Sequence, residues 1–227
     1  MSSAKIIIYG DLLSQPVRAV VFFCILNNIP HTFKPVVIGK GENQSDEYAK
    51  INPFKKVPAM QDGDIILYES HTILRYLAHT FRLDDFYHSR CITERCRVDT
   101  YLDWHHLGLR RYASTLFFQK FLVPRLNMKP SADFLKEAEK NLPTALEQIE
   151  TIFLKDQNFL CGIRPTIADF SCFCELKQLG IVNYDLSKYK TLSQWMKKME
   201  NLHGYQESHK TLNNLITKLN QPPQPKL

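Results

Sequence analysis

The hydrophobic pattern of this chain changes once, just after Phe81, and that break limits the folds open to it. Before it, short β-type runs alternate with stretches of helical spacing; beyond it, nothing repeats with period two. Residues 5–9 (Lys-Ile-Ile-Ile-Tyr) read as a first strand. A loop through Leu12-Leu13-Ser14-Gln15-Pro16 then leads into a helix, with Pro16 at a first-turn position where proline is tolerated. Val17, Val20, Val21, Cys24 and Ile25 recur at helical spacing until Asn27-Asn28-Ile29-Pro30 ends the run. Residues 31–38 form a second strand, and a short helix is expected around residues 46–51. A proline-led strand from Pro58 turns at Asp62-Gly63 into Ile65-Ile66-Leu67. Ile73, Leu74, Leu77, Ala78 and Phe81 then mark one face of a helix, with Ser70 expected as its N-cap.

Strand-helix-strand, helix, strand-strand-helix is the order of a thioredoxin-like α/β domain, in which a right-handed crossover makes the first two strands parallel. After a polar linker at 82–89, helical patterns run over 91–118, 132–154, 166–179, 192–202 and 206–219. Thr166-Ile167-Ala168-Asp169 opens the third as a capping box with Asp in place of the usual Glu. The expected organisation is therefore residues 1–82 as the thioredoxin-like domain and 90–220 as an all-α helical bundle. Residues 221–227 follow as a disordered, proline-rich tail.

Composition removes several function classes. The formal net charge of +6 is spread along the chain, with basic doublets only at Lys55-Lys56, Arg110-Arg111 and Lys197-Lys198. That argues against a dedicated nucleic-acid surface and suits small anions. No apolar run reaches the ~18–20 residues of a membrane helix, and no signal peptide is visible, so a cytoplasmic, non-membrane protein is expected. Six cysteines (24, 91, 96, 161, 172, 174) show no metal-ligand pairing and are expected to be buried and reduced. His105 and His106, adjacent on a helix, cannot converge on one metal from a single face and read as structural or exposed.

Between Asn52 and Ser70 the residue types suit a short acidic peptide. A cis Val57-Pro58 bond would let Val57 offer its backbone groups sideways to an extended partner. The N–H groups opening the helix after Glu69-Ser70 suit a carboxylate. On spacing alone, an ordinary hairpin leading into an amphipathic helix is the favoured explanation of the same stretch.

Five motifs taken together resemble a known family. Leu12-Leu13-Ser14-Gln15-Pro16, Asn52-Pro53-Phe54-Lys55-Lys56-Val57-Pro58, Asp62-Gly63-Asp64, Glu69-Ser70 and Thr166-Ile167-Ala168-Asp169-Phe170 resemble the cytosolic glutathione transferases. The run Arg97-Val98-Asp99-Thr100-Tyr101-Leu102-Asp103-Trp104-His105 narrows the resemblance to the theta class. It covers the chain from the first strand to about residue 219.

The resemblance implies a glutathione S-transferase that needs no metal or organic cofactor and uses glutathione as co-substrate. Glutathione reacts as its thiolate, and a free thiol near pKa 8.5 is only a few per cent ionised at neutral pH. Ser14 is the residue expected to stabilise that thiolate by hydrogen bonding; Tyr9 is the rival, and a plain N-cap role is the alternative for Ser14. Carried over from the family, Val57 and Pro58 meet the peptide backbone, Glu69 the γ-glutamyl ammonium, Ser70 its carboxylate, and Lys56 a further carboxylate. Asn43 stands where the theta pattern has histidine; it can donate a hydrogen bond to the glycyl carboxylate but cannot carry charge. Arg110 is expected on the electrophile side, where a cation would stabilise a departing halide or sulfate.

The implied partners are glutathione, small hydrophobic electrophiles and a second copy of the chain in a homodimer. Theta relatives often carry a C-terminal extension over the active site, so the short tail here implies a more open electrophile site. Two alternatives stand beside conjugation. One is glutathione-dependent peroxide reduction or dehalogenation at the same site; the other is a transferase fold kept as a non-catalytic interaction module.

Overall fold

The structure, a computed structural model, describes residues 6–88 and 90–221. Its first half is a four-stranded mixed sheet in the order β2-β1-β3-β4. The strands are β1 (Ile6–Gly10), β2 (His31–Pro35), β3 (Ala59–Asp62) and β4 (Ile65–Tyr68). β1 lies parallel to β2 through the crossover helix α1 (Gln15–Leu26) and antiparallel to β3, which pairs antiparallel with β4. The β3–β4 turn is Gly63-Asp64 rather than Asp62-Gly63, with Asp62 paired to Ile65 and Gly63 at φ 58°. A glycine takes that left-handed conformation without the Cβ penalty. β2 stops at Pro35, short of the expected Ile38, and the chain turns through a 3₁₀ segment at Ile38–Lys40.

Alternation along β1 sets which residues face the site. Ile6 and Ile8 enter the main core, whereas Ile7 and Tyr9 pack on the opposite face with Val36, Tyr48 and Ala59. Tyr48 comes from the short helix α2 (Asp46–Ala49). α1 packs against α3 (Ser70–Thr80), whose buried face of Ile73, Leu74 and Leu77 joins the main core. The N-cap of α3 is Glu69, at φ 71°, and Ser70 opens the helix as its first residue. That is one residue off the expected capping pattern.

The second half is helical. α4 (Ile92–His105), α5 (Arg111–Phe117) and α6 (Val123–Arg125) form one column that widens into π turns at His106–Arg110 and Phe118–Leu122. It runs past residue 118, where the sequence pattern suggested an end. α7 (Ala132–Gln148), α8 (Ile167–Gln178), α9 (Lys190–Glu200) and α10 (Tyr205–Leu219) complete this half. The capping box at Thr166 is present, with Asp169 Oδ2 accepting from Thr166 N at 2.8 Å and Thr166 Oγ1 at 3.0 Å. Its other oxygen accepts from Leu160 N and Trp195 Nε1, both at 2.9 Å.

One apolar cluster runs through both halves. Phe22 and Phe23 of α1 meet Phe170 of α8 edge-on, with ring centroids 5.0 and 5.3 Å apart. Such rings contribute about 0.5–1.5 kcal/mol each beyond their area burial. Cys24, Cys172 and Cys174 are buried as free thiols, whereas Cys91 and Cys96 are exposed, contrary to the expectation of general burial. Among the described residues no helix is long and apolar enough to cross a membrane. The proline-rich tail at 222–227, and with it the expectation of an open electrophile site, lies outside the described residues.

Candidate active site

Two cavities meet where β1 hands over to α1. The smaller, about 200 Å³, is polar; Lys56, Val57, Pro58, Glu69, Ser70 and Arg110 all border it. The Val57-Pro58 bond is cis. Tyr48 Oη and Asn52 Nδ2 both donate to the Lys56 carbonyl, at 2.8 and 2.7 Å, and so fix the loop that leads to it. Glu69 projects from its left-handed position at the mouth, where α3 begins and its first N–H groups lack intrahelical partners. Asn43 lies outside this wall; its Nδ2 donates to the Lys55 carbonyl at 2.8 Å, which leaves one amide N–H uncommitted.

The second cavity, about 710 Å³, is apolar and more than three times larger. Phe117, Phe118, Phe121, Phe134, Leu122 and Leu215 line much of it, and Ser14 stands at its edge. Gln15 borders both cavities, so the Ser14-Gln15 pair is the junction between them. Ser14 occupies the N-cap position of α1, yet its side chain makes no capping hydrogen bond. The half-buried loop in front of it is held by Asp11, whose Oδ1 accepts from Leu13 N at 2.9 Å and Oδ2 from Ile38 N at 3.1 Å. Tyr9 borders neither cavity: it points through the other face of the sheet and its hydroxyl donates to Gln61 Oε1 at 3.0 Å.

The back wall of the polar cavity comes from the helical half. Glu175, buried on α8, accepts from Gln15 Nε2 at 3.1 Å through both oxygens and from Arg110 Nη1 at 2.8 Å. Burial pushes its carboxyl up, while Arg110 and Gln15 pull it back. Arg110 therefore borders the polar cavity, joined to a carboxylate, and does not border the apolar one. Arg111 points away and pairs with Glu137.

Three histidines complete the wall. His71 of α3 lies 5.1 Å from the His105 ring and 4.6 Å from that of His106, and all three border the polar cavity. His105 ends α4 and His106 opens the π turn that follows it, so the two present their rings to His71 from successive positions. Burial lowers His71 to about 3 and His105 well below the ordinary imidazole value, so both are neutral near pH 7. No group of three or more His, Cys, Asp or Glu among the described residues is placed to hold a metal ion.

Residues 8–84 match the family described as "Glutathione S-transferase, N-terminal domain" and residues 99–203 match "Glutathione S-transferase, C-terminal domain". Glutathione S-transferase T1 of Arabidopsis thaliana is 36% identical over 218 residues, covering 92% of this chain and 89% of that protein. Human glutathione S-transferase theta-1 is 35% identical over 210 residues, covering 90% and 88%. The crystal structure of human glutathione transferase theta-2, in complex with glutathione and an unknown ligand, superposes with a TM-score of 0.88 at 31% identity, covering 97% of this chain and 94% of that one. The chain belongs to the theta class of the glutathione S-transferases.

Glutathione is accordingly the co-substrate of this transferase, and the fold described above is the glutathione transferase fold. Sequence reading missed Glu175, whose link to Gln15 spans 160 positions, and Arg18, which lies behind the cavities inside the apolar period of α1. Gln15, inside a recognised motif, and His71, next to Glu69-Ser70, are the two that proximity could have raised.

Proposed function

We propose that the protein conjugates glutathione to small apolar electrophiles, with the Ser14 hydroxyl donating a hydrogen bond to the thiolate. The observation that carries this reading is the junction at Ser14-Gln15, where a polar cavity and an apolar cavity meet beside a serine free of capping duty. A sulfur atom at that junction has peptide-binding groups on one side and an aromatic chamber on the other. A hydrogen-bond donor at sulfur and the positive end of α1 both favour the ionised form.

Along the polar cavity, Val57 and Pro58 flank the peptide backbone, and Glu69 pairs with the γ-glutamyl ammonium. Ser70 and the first N–H groups of α3 hold the α-carboxylate. Lys56 supplies a point charge to a carboxylate, and the remaining N–H of Asn43 reaches toward the glycyl end. Arg110, with one nitrogen on Glu175, offers its other N–H groups to a departing halide or sulfate. The aromatic lining suits alkyl and aralkyl halides, epoxides and hydroperoxides, so peroxide reduction or dehalogenation would use the same thiolate. The working form is a homodimer.

The test is the ultraviolet thiolate absorbance of bound glutathione, titrated with pH in the wild type and in Ser14→Ala. The wild type is expected to show the band near neutral pH. The variant is expected to lose it and to fall about 10²–10³-fold in kcat, the scale for removing one donor to a developing anion. A band unchanged in Ser14→Ala would overturn the assignment to serine.

A further inference from the structure

Arg18 is 0% exposed and sits one turn into α1, directly behind Ser14. Its guanidinium reaches in two directions. Nη1 donates to the carbonyls of Leu12 and Leu13 at 3.1 and 3.0 Å, the two residues that present Ser14. Nη2 donates to the Cys174 carbonyl at 3.1 Å and to Gln178 Oε1 at 2.7 Å, both on α8. None of the ion pairs among the described residues includes Arg18. A buried cation without a carboxylate partner is costly, and proteins normally pair such charges.

The choice of partner sharpens the point. Gln178 Nε2 is buried without a hydrogen-bond partner, as is Arg18 Nε. A glutamate at 178 has the same shape, would remove the orphaned amide donor and would neutralise the guanidinium. A carboxylate there would complete the pairing that a buried guanidinium ordinarily finds, yet the chain carries the amide.

Of the titratable groups around Arg18, the carboxylates of Glu175 and Asp11 act on its charge through space, but neither is bonded to it. Asp11 lies ahead of its own helix, Cys174 and Glu175 lie on α8, and Tyr205 and His209 on α10. Burial pushes Cys174 up to about 12 and His209 down to about 2, so both are neutral near pH 7. Glu175 is engaged by Arg110 and Gln15, and Asp11 by two backbone N–H groups.

We propose that Arg18 is a positioning residue for the reaction: it fastens the Leu12-Leu13 carbonyls that aim Ser14, and its charge, left unneutralised by Gln178, stands behind the loop that receives the glutathione sulfur. The inference rests on the thiolate reading above, and it adds that a buried positive field shares the activation with the serine hydroxyl. If Arg18 were only a staple, a paired Arg18 would serve as well as an unpaired one.

The experiment extends the thiolate titration to Gln178→Glu and Arg18→Lys, with the thermal unfolding midpoint recorded for each. Gln178→Glu keeps the guanidinium in place and cancels its field. Its thiolate midpoint is expected to rise by roughly one pH unit, with an unfolding midpoint at or above that of the wild type. Arg18→Lys keeps the charge and loses the fork that holds the Leu12 and Leu13 carbonyls, so its thiolate midpoint should rise by less than that of Gln178→Glu, and the protein should unfold at lower temperature. A Gln178→Glu titration that overlays the wild type overturns the inference. If Ser14→Ala shifts the band and Gln178→Glu does not, the serine reading stands and only the role of Arg18 falls. If the wild type shows no thiolate band, both fall.

Discussion

The two cavities differ in how they are built, and the contrast explains what each can tolerate. The polar one is assembled from turns, helix starts and a few charged side chains locked in hydrogen bonds, so it is small and specific. The apolar one is a chamber between helices, lined by phenylalanine and leucine, so it selects by size and hydrophobicity. Polar recognition rejects a ligand that leaves a buried group unpaired, whereas an apolar pocket discriminates weakly between similar shapes. Under the function proposed above, glutathione is held to narrow chemistry and the electrophile to a broad class.

Acid should separate the cavities most strongly, because the polar one is walled by neutral histidines. His71 and His105 have folded-state values far below the unfolded value of 6.5. Their stabilising contribution is complete above that value and is lost as pH falls beneath it, because the unfolded chain then binds protons the folded chain refuses. Each should contribute a slope of about 1.4 kcal/mol per pH unit below the unfolded value, down to about 3 for His71. Unfolding midpoints measured from pH 7 to pH 5 should fall steeply, and His71→Asn should flatten the curve.

Glu69→Ala should follow. Losing a charged partner of the glutathione ammonium corresponds to about 1.5–3 kcal/mol, or roughly a ten- to hundredfold rise in KM for glutathione. Its kcat should change little, because Glu69 borders only the polar cavity and not the apolar one where Ser14 stands. A kcat that fell as far as KM rose would contradict the division of labour drawn here.

On the apolar side, Phe118 is 47% exposed, so the fold should accept its truncation. Phe118→Ala should lower kcat/KM for a bulky aralkyl halide by about 1–2 kcal/mol relative to a small alkyl halide, the range for one or two methylenes' worth of contact. Glutathione KM should stay at the wild-type value, and a shift there would show that the cavities are not separable. Asn43→Ala should have the smallest effect, about 1 kcal/mol or less on glutathione affinity, because the amide already serves the Lys55 carbonyl.

The same contrast explains how much of the molecule was legible in its sequence. Lys56, Val57, Pro58, Glu69 and Ser70 lie within 15 residues and were readable, because a loop, a hairpin and a helix start write their rules locally. The capping box at Thr166 was readable for the same reason. The cap of α3 was misplaced by one residue because nothing in Glu69-Ser70 announces a left-handed glutamate. The apolar cavity draws on Ile38, Phe118, Phe134, Ile181 and Leu215, whose meeting depends on helix packing that no local rule encodes. The histidine cluster and the Gln15–Glu175–Arg110 link both depend on contacts between the two halves.

The single core has a consequence for how such a chain can change over evolutionary time. The two family regions end at residue 84 and begin at residue 99, and a recombination event between them would look harmless in an alignment. It would still have to match Phe22 and Phe23 to Phe170, and Arg18 to Gln178, across the splice. The halves are separable as text but inherited as a pair, so new substrate ranges should arise by substitution around the apolar chamber rather than by exchange of whole halves.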